Sequence, residues 1–578
     1  MKSNLTILIS VMLGLTIVAS ASGMPTVVFD SPRTFSIISV SVVILVAGGL
    51  FMYLRKGSIK IFRSDVICVI FLSVYLIDYK QFYSLWNLGI YALLMLFMIL
   101  RYCRRIYYKI IFVSCLCTAC LLAVWGYLQY FGIIPSNNKY FLLTGPYYNP
   151  SILAVMLALL IGVIIDTAIV YNRFVREQYF YLTGIVACCL PVLVLSFSRA
   201  AYVALLASVL YALYLKYIVR TKRKRIVYFL GGILFVLLFA GASCAMKPQS
   251  ANGRLLIWKV GLQMISDKPL SGFGKGGFAA NYLYYQADYM KISASPTERT
   301  LAGNTHLAFN EPLRITVEYG LLGLMAYLGF IIWILFPYHD ENELTIISKS
   351  LLAGVAIWGL FDNPDQAFSV LTIWVISVAC SLKKDNAIDE LCILEKNICK
   401  GVATVFVCCF VLFGGMIYSK WKSYHGLQIY LNTSSMRDTS KYAMALPRFK
   451  DELKDNVLFA YFYCRTMKLG HNDTEFLSCL DILEKKFPST SLFLMKGDYW
   501  YKKGCWIEAE EAYRLAADMV PSLQMPRGRL AVLYKQIGRR QEALALVREI
   551  LSEKVKVYGF DTFSLHRELK RIFEDELK

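Results

Sequence analysis

Charge is scarce in this sequence. Only 17% of its 578 residues are Asp, Glu, Lys or Arg, against 57% hydrophobic, whereas a soluble globular domain is roughly a quarter charged. That shortage excludes an ordinary soluble protein and puts most of the chain in lipid. Apolar stretches near the length of a membrane span recur over roughly the first 420 residues. They fall at 5–22, 34–54, 66–79, 85–100, 110–133, 150–170, 179–197, 200–219, 226–245, 312–336, 347–361, 367–382 and 401–418. The expected fold is therefore all-α, a polytopic membrane protein of about 12–13 transmembrane helices.

Lys and Arg are sparse in every second loop, which is equally informative. Basic residues gather at Arg55, Lys56, Lys60 and Arg63, at Arg101, Arg104, Arg105 and Lys109, at Arg173 and Arg176, in "RTKRKR" at 220–225, and at Lys383 and Lys384. The alternation is the positive-inside pattern; the acidic "HDENE" at 339–343 is its exception. It puts the N-terminus in the cytoplasm, and 134–149, 198–199, 246–311, 362–366 and everything after 418 on the other side. The net charge of +21 thus records topology and gives no reason to expect nucleic acid. The first span also reads as a cleavable signal peptide, with Lys2 before an apolar run ending in "VASASG"; either reading leaves the remaining topology unchanged.

Other chemistries fail for want of a partner. Cys117 and Cys120 form a C-x-x-C inside a predicted span with no second pair, which rules out zinc and redox chemistry. The run "GFGKGGF" at 272–278 has no strand before it and faces away from cytosolic nucleotides, so tight turning explains it better than phosphate binding. No metal and no cofactor are expected. Few charges fall in mid-span, which weighs against a transporter or flippase of a lipid-linked anion; that reading needs polar groups through the full membrane depth.

Two domains are expected: 1–425 in the membrane, with a large outer loop at 246–311, and 426–578 as soluble helices. In the second, Gly470, Gly504 and Gly538 stand 34 residues apart, and Glu508-Ala509 recurs as Glu542-Ala543. This is the period of tetratricopeptide repeats, where Gly ends one helix and a small residue admits the next. Such repeats bind a protein partner or serve as a rigid appendage, and both readings stand. Cys464, Cys479 and Cys505 are expected to fill helix cores.

Polar residues concentrate on the outer face. "TGPYYNPS" at 144–151 closes one outer loop. "SFSRAAY" at 196–202 puts Arg199 at a turn between two apolar runs, where a charge is costly and commonly functional; an arginine snorkelling to headgroups is the plainer account. "NGRLLIWKVGLQMISDKPLSGFGKGGF" carries Arg254 and Trp258, and "NTHLAFNEPLRITVEYG" leads into the tenth span.

These outer-loop elements, in this order, resemble the signature of the O-antigen ligase and polymerase superfamily over roughly 30–385. The match is carried by Arg254 and Trp258, Pro269 to Gly274, and Asn310 followed by Glu318-Tyr319-Gly320. The resemblance implies a GT-C-like integral membrane glycosyltransferase in a bacterial inner membrane. Such an enzyme moves a glycan from an undecaprenyl diphosphate carrier to an acceptor on the periplasmic face, without a metal. It also implies that Arg199 and Arg254 hold the diphosphate and that a base near the tenth span activates the acceptor hydroxyl. Many ligases have histidine directly before the asparagine; here Phe309 stands there. His306, one turn earlier if the span is already helical, and Glu311 are the rival bases. Asn310, Glu318 and Trp258 are expected to support the site. Ligation to a lipid A core, repeat-unit polymerisation and transfer to protein share these motifs. A membrane-anchored scaffold working through its repeats is a further reading, and it leaves Arg199 unexplained.

Overall fold

A computed structural model describes residues 59–77, 85–102, 108–138, 140–147, 149–171, 175–218, 225–245, 248–338, 341–382, 390–394, 446–453, 457–469, 472–553, 555 and 559–577, with single residues elsewhere. The spans expected at 5–22, 34–54 and 401–418, and Gly470, lie wholly or largely outside them. The chain divides into two units, one formed by Met1–Met246 with Ala326–Tyr424, the other by Lys247–Met325 with His425–Lys578.

Down the chain, the first unit holds β1 (Ile59–Phe62), α1 (Arg63–Leu76), α2 (Leu85–Tyr102), α3 (Tyr108–Tyr130), α4 (Pro150–Tyr171), α5 (Arg176–Leu195), α6 (Arg199–Leu213) and α7 (Arg225–Ala245). The second unit opens with α8 (Pro248–Asp267), α9 (Gly277–Ile292) and the short α10 (Pro296–Leu301). Helix α11 (Glu311–Leu335) starts in the second unit and ends in the first, which continues with α12 (Glu343–Gly359), α13 (Phe368–Ser381) and β2 (Glu390–Leu394). The second unit resumes with α14 (Lys450–Leu453), α15 (Val457–Leu469), α16 (Asp473–Lys486), α17 (Thr490–Lys503), α18 (Trp506–Met519), α19 (Gln524–Gln536), α20 (Arg540–Ser552), α21 (Phe560–Ile572) and α22 (Glu574–Leu577).

The protein is an all-α polytopic membrane protein. Among the described residues, five helices are long and apolar enough to cross a membrane: Lys109–Tyr130, Pro150–Tyr171, Arg176–Leu195, Arg199–Tyr217 and Glu311–Leu335. Shorter apolar helices add Trp86–Tyr102, Val227–Val236 and Phe368–Ser381. Among the described residues, strand is confined to the antiparallel pair β1–β2, where Lys60 meets Glu390 at 2.7 Å.

Helix α4 is the most buried of the five spans. Small residues let α6 and α12 approach one another and α4: a Cβ on Gly162 would come 3.3 Å from Ser208 Oγ, and one on Gly354 would come 3.1 Å from the Ala204 carbonyl. At this junction sits a charge that the apolar run conceals. Asp166 is fully buried and accepts hydrogen bonds from Ser208 Oγ (2.9 Å) and Ser350 Oγ (2.5 Å). Two further ionic groups are internal. Asp65 takes Arg101 Nε at 2.6 Å and the Tyr102 hydroxyl at 2.6 Å. Glu341 pairs with buried Lys349, which accounts for acid in a segment where the loop pattern calls for basic residues.

In the second unit, one of the cores is shared by the 248–310 segment and the C-terminal helices. Val260, Met264, Tyr282 and Leu283 from α8 and α9 pack with Phe493, Ala516 and Met519 from α17 and α18. The loop read as part of the membrane domain thus folds with the C-terminal helices. These stack as helix pairs. Gly504 (φ 76°) and Gly538 (φ 84°) end α17 and α19 in the left-handed region, and Ala509 and Ala543 are wholly buried at the next contacts. Gly497 lies under the Tyr513 ring, where a Cβ would sit 2.5 Å from it. Cys464 and Cys479 are buried free thiols.

Candidate active site

The start of α11 organises the loop before it. Asn310 caps the helix: its Oδ1 accepts from the Leu313 amide at 2.8 Å, and its carbonyl from the Arg314 amide at 3.0 Å. Pro312 follows in the first turn, where a missing N–H costs no helical hydrogen bond. Residues 302–310 are therefore not helical. The helix does not already run through His306, so His306 does not continue the face of the span.

Within α11 the acidic residues are tied to an arginine that the sequence reading passed over. Arg314 donates from Nε to Glu311 Oε2 (3.1 Å), from Nη2 to Glu311 Oε1, and from Nη1 to Glu318 Oε2 (2.6 Å). The Glu311 side chain is 0% exposed and that of Arg314 7%. Spacings of three and four on one helix are the signal that would have found this triad. The other oxygen of Glu318 accepts from the Gly276 amide at 3.0 Å.

That last contact belongs to a larger interlock. At Gly320 (φ 68°, ψ −171°) α11 kinks, leaving helical carbonyls without their usual donors. The glycine run supplies replacements: Phe273 N donates to Val317 O (2.9 Å) and Gly274 N to Glu318 O (2.8 Å), while Leu321 N donates to Pro269 O (2.8 Å). A Cβ on Gly320 would lie 2.0 Å from Leu270 O, and one on Gly272 2.5 Å from the Glu318 carbonyl carbon. "PLSGFGKGG" and "EYG" are thus two halves of one lock. The amides of Phe273, Gly274, Gly276 and Gly277 all serve the protein's own oxygens, which removes the cradle a phosphate loop requires.

Helix α8 brings Arg254 and Trp258 to the segment before α11. Trp258 Nε1 donates to the Ala308 carbonyl at 3.2 Å. The Arg254 guanidinium lies 5.5 Å from the centre of the Phe309 ring. Phe309 takes φ 48°, an uncommon conformation for a bulky residue. His306 is fixed from the other side. Its Nε2 meets the Pro488 carbonyl at 2.8 Å, and its ring stacks on Phe487 with centroids 3.5 Å apart. A carbonyl only accepts, so Nε2 carries the proton and the neutral ring keeps its lone pair on Nδ1. Burial lowers its pKa from the ordinary 6.5, with the contact to Pro488 opposing in part.

In the first unit, Arg199 opens α6 directly after a turn in which Phe197 has φ 50°. Tyr202 closes the turn by donating to the Val194 carbonyl at 2.7 Å. "TGPYYNPS" is held by Gln129, whose Oε1 takes the amides of Thr144 (3.0 Å) and Gly145 (2.8 Å), and Ser151 donates to Asp362 at 2.6 Å.

Residues 184–328 match the O-antigen ligase family, which places this part of the chain in the O-antigen ligase superfamily. The matched stretch includes Arg199, Arg254, Trp258, His306, Asn310, Glu311 and Glu318. No curated protein matches the chain.

Proposed function

We propose that this protein transfers a glycan from an undecaprenyl diphosphate carrier to an acceptor hydroxyl at the periplasmic face of a bacterial inner membrane. The observation that carries the reading is the placement of His306, whose Nε2 lies 2.8 Å from the Pro488 carbonyl while its ring stacks on Phe487, an arrangement that leaves Nδ1 for the acceptor hydroxyl when the ring is neutral. The neutral ring is the form a general base takes near neutrality. Glu311, the rival, is wholly buried under two bonds from Arg314, and a carboxylate so held is a poor proton acceptor.

In the proposed step the acceptor O–H bond breaks and its proton passes to His306 Nδ1. The acceptor oxygen bonds to the anomeric carbon of the glycan, and the bond from that carbon to the phosphate oxygen breaks. The electron pair leaves with the diphosphate, so positive charge develops on the sugar and negative charge on the leaving group. Arg199 and Arg254 are proposed to take the diphosphate oxygens, for which guanidinium forks are suited. Asn310, Glu318 and Trp258 support the loop through the cap, the kink lock and the bond to Ala308. The stacked C-terminal helices are read as tetratricopeptide-like and periplasmic.

The test is transfer from purified lipid-linked glycan by purified variants. His306→Ala should lose about two to four orders of magnitude in turnover with donor binding near wild type, while Glu311→Gln keeps its turnover per folded molecule. The reverse pattern would assign the base to Glu311. A transport reading gains little from the ionisable residues buried among the helices. Asp166 and Lys349 are bound to Ser208, Ser350, Glu341 and the Phe336 carbonyl, as ties between helices.

A further inference from the structure

The ring of His306 sits in a stretch with no regular structure of its own. Among the described residues, its neighbours in that stretch give the ring no hydrogen bond: Thr305 Oγ1 turns to the backbone of Leu307 (3.3 Å in each direction). Both contacts that orient the ring come from the link between α16 and α17, through the Phe487 face and the Pro488 carbonyl. That carbonyl is available because it precedes the cap: Ser489 starts α17, and the helix recruits Ser489 oxygens, not those of Pro488.

The surrounding seam is polar and specific in direction. Asn304 and Thr490 exchange bonds, Nδ2 to Oγ1 at 2.7 Å and the Thr490 amide to Asn304 Oδ1 at 3.1 Å. Buried Gln286 donates both to the Gly303 carbonyl (3.2 Å) and to the Met519 carbonyl (2.5 Å), so one side chain ties the His306 segment to the end of α18. Tyr284 donates to the Glu484 carbonyl at 3.2 Å, and Lys291 pairs with Asp518 at 3.3 Å.

We propose that the C-terminal helical repeats are a working part of the transferase: the Phe487-Pro488 link is the positioning element that fixes the tautomer and ring plane of His306. The inference rests on the reading of His306 as base. A histidine base needs a partner on its second nitrogen to hold the other toward the substrate, the logic of base and orienting group in nucleophilic catalysis. Here that partner lies 182 residues away in sequence. Stacking on Phe487 sets the ring plane, the Pro488 carbonyl sets which nitrogen is protonated, and the Asn304–Thr490 pair sets the depth of the segment. Losing any of the three lets the lone pair wander, and misplacement by about 1 Å is enough to cost about a hundredfold in rate.

The experiment uses the full-length protein in lipid, with purified lipid-linked glycan as donor, and compares Phe487→Ala, Phe487→Tyr and Thr490→Val. Phe487→Ala should lower kcat by about ten- to a hundredfold with the donor KM unchanged, and Thr490→Val should lower it in the same direction by less. The acid limb of the kcat profile should move up toward 6.5 in Phe487→Ala, because the ring regains water and its lowered pKa relaxes. Phe487→Tyr should restore both. His306→Ala combined with Phe487→Ala should be no slower than His306→Ala alone. An unchanged kcat and acid limb in Phe487→Ala, or losses that simply multiply in the double variant, would overturn the proposal. The titration of the His306 ring by NMR, assigned with His306→Gln, decides the positioning claim independently of transfer. A wild-type protein that transfers no glycan refutes the proposed function. If in that protein the ring still titrates below 6.5 and Phe487→Ala raises it, the link does position the ring; no change on Phe487→Ala refutes the positioning.

Discussion

Arg314 is the residue whose removal the structure prices most clearly. It lies between Glu311 and Glu318, with side chains 7%, 0% and 4% exposed. In Arg314→Met the side-chain length remains but the guanidinium does not, so two buried carboxylates lose the pairing with Arg314. Breaking a buried pair from one side destabilises by about 3–5 kcal/mol, because the cost lies in the charge left behind. A domain has only about 5–15 kcal/mol in all. For a unit of this size each kcal/mol moves Tm by about 2–4 °C, giving a fall of about 6–20 °C. Thermal unfolding followed by near-ultraviolet circular dichroism in detergent would read it. The triple variant Glu311→Gln, Arg314→Met, Glu318→Gln removes every charge at once and should recover most of the loss, since a neutral replacement of a buried ion pair is often tolerated. An Arg314→Met protein within ~1 kcal/mol of wild type would refute the reasoning, as breaking the pair would then fall far below the expected range. So would a triple variant no better than the single one, since the cost would then not be electrostatic.

Gly320→Ala should be worse than an ordinary glycine substitution: φ 68° with ψ −171° is a region nearly reserved for glycine, costing about 1–3 kcal/mol, and the new Cβ would meet Leu270 O at 2.0 Å. Limited proteolysis of the 268–277 segment should accelerate; unchanged resistance would remove the lock. Arg254→Lys and Arg199→Lys should each lose transfer nearly as far as the alanine variants, by about 10²–10³-fold, if paired guanidinium contacts hold the developing anion; near wild-type transfer by both lysine variants would leave only a requirement for charge. Folding lowers the pKa of His306, so the fold disfavours the imidazolium. Its contribution to the stability of the second unit should be complete above about 6.5 and decline as pH falls through the lowered value; a His306→Gln protein should lack that component of the acid slope, and an unchanged slope counts against it. Alkaline phosphatase fused after residue 425 should be active if the C-terminal helices are periplasmic, and an inactive fusion would reverse the proposed topology.

What was legible in the sequence, and what was not, divides by the distance over which the causes act. Spans follow from local composition, and α4, α5, α6 and α11 occur where the apolar runs put them. The glycine run read correctly as a tight turn, but its partner did not show, because the carbonyls it serves are released only by a kink 40-odd residues further on. Whether His306 continues the helical face is decided locally. "FNEP" contains a cap residue at 310 and a proline two positions later, which together start the helix at Glu311 and leave His306 outside it. Asp166 was missed for the opposite reason. One carboxylate in a long apolar run looks incidental until Ser208 and Ser350, on two other helices, are brought to it.

The seam between the loop and the C-terminal helices bears on whether those helices anchor or act. Adhesion alone needs apolar burial, and Met264, Tyr282, Phe493 and Met519 provide it in one core. A hydrogen bond adds only about 0.5–1.5 kcal/mol net, so the bonds at His306, Asn304 and Gln286 are a small supplement to attraction. They are demanding in another respect, because each buried donor and acceptor must be matched or the seam loses more than the bond was worth. An anchoring surface has no use for that demand. On the proposed reading of His306 as base, the contacts instead set the angle and the tautomer of one imidazole, which proton transfer requires.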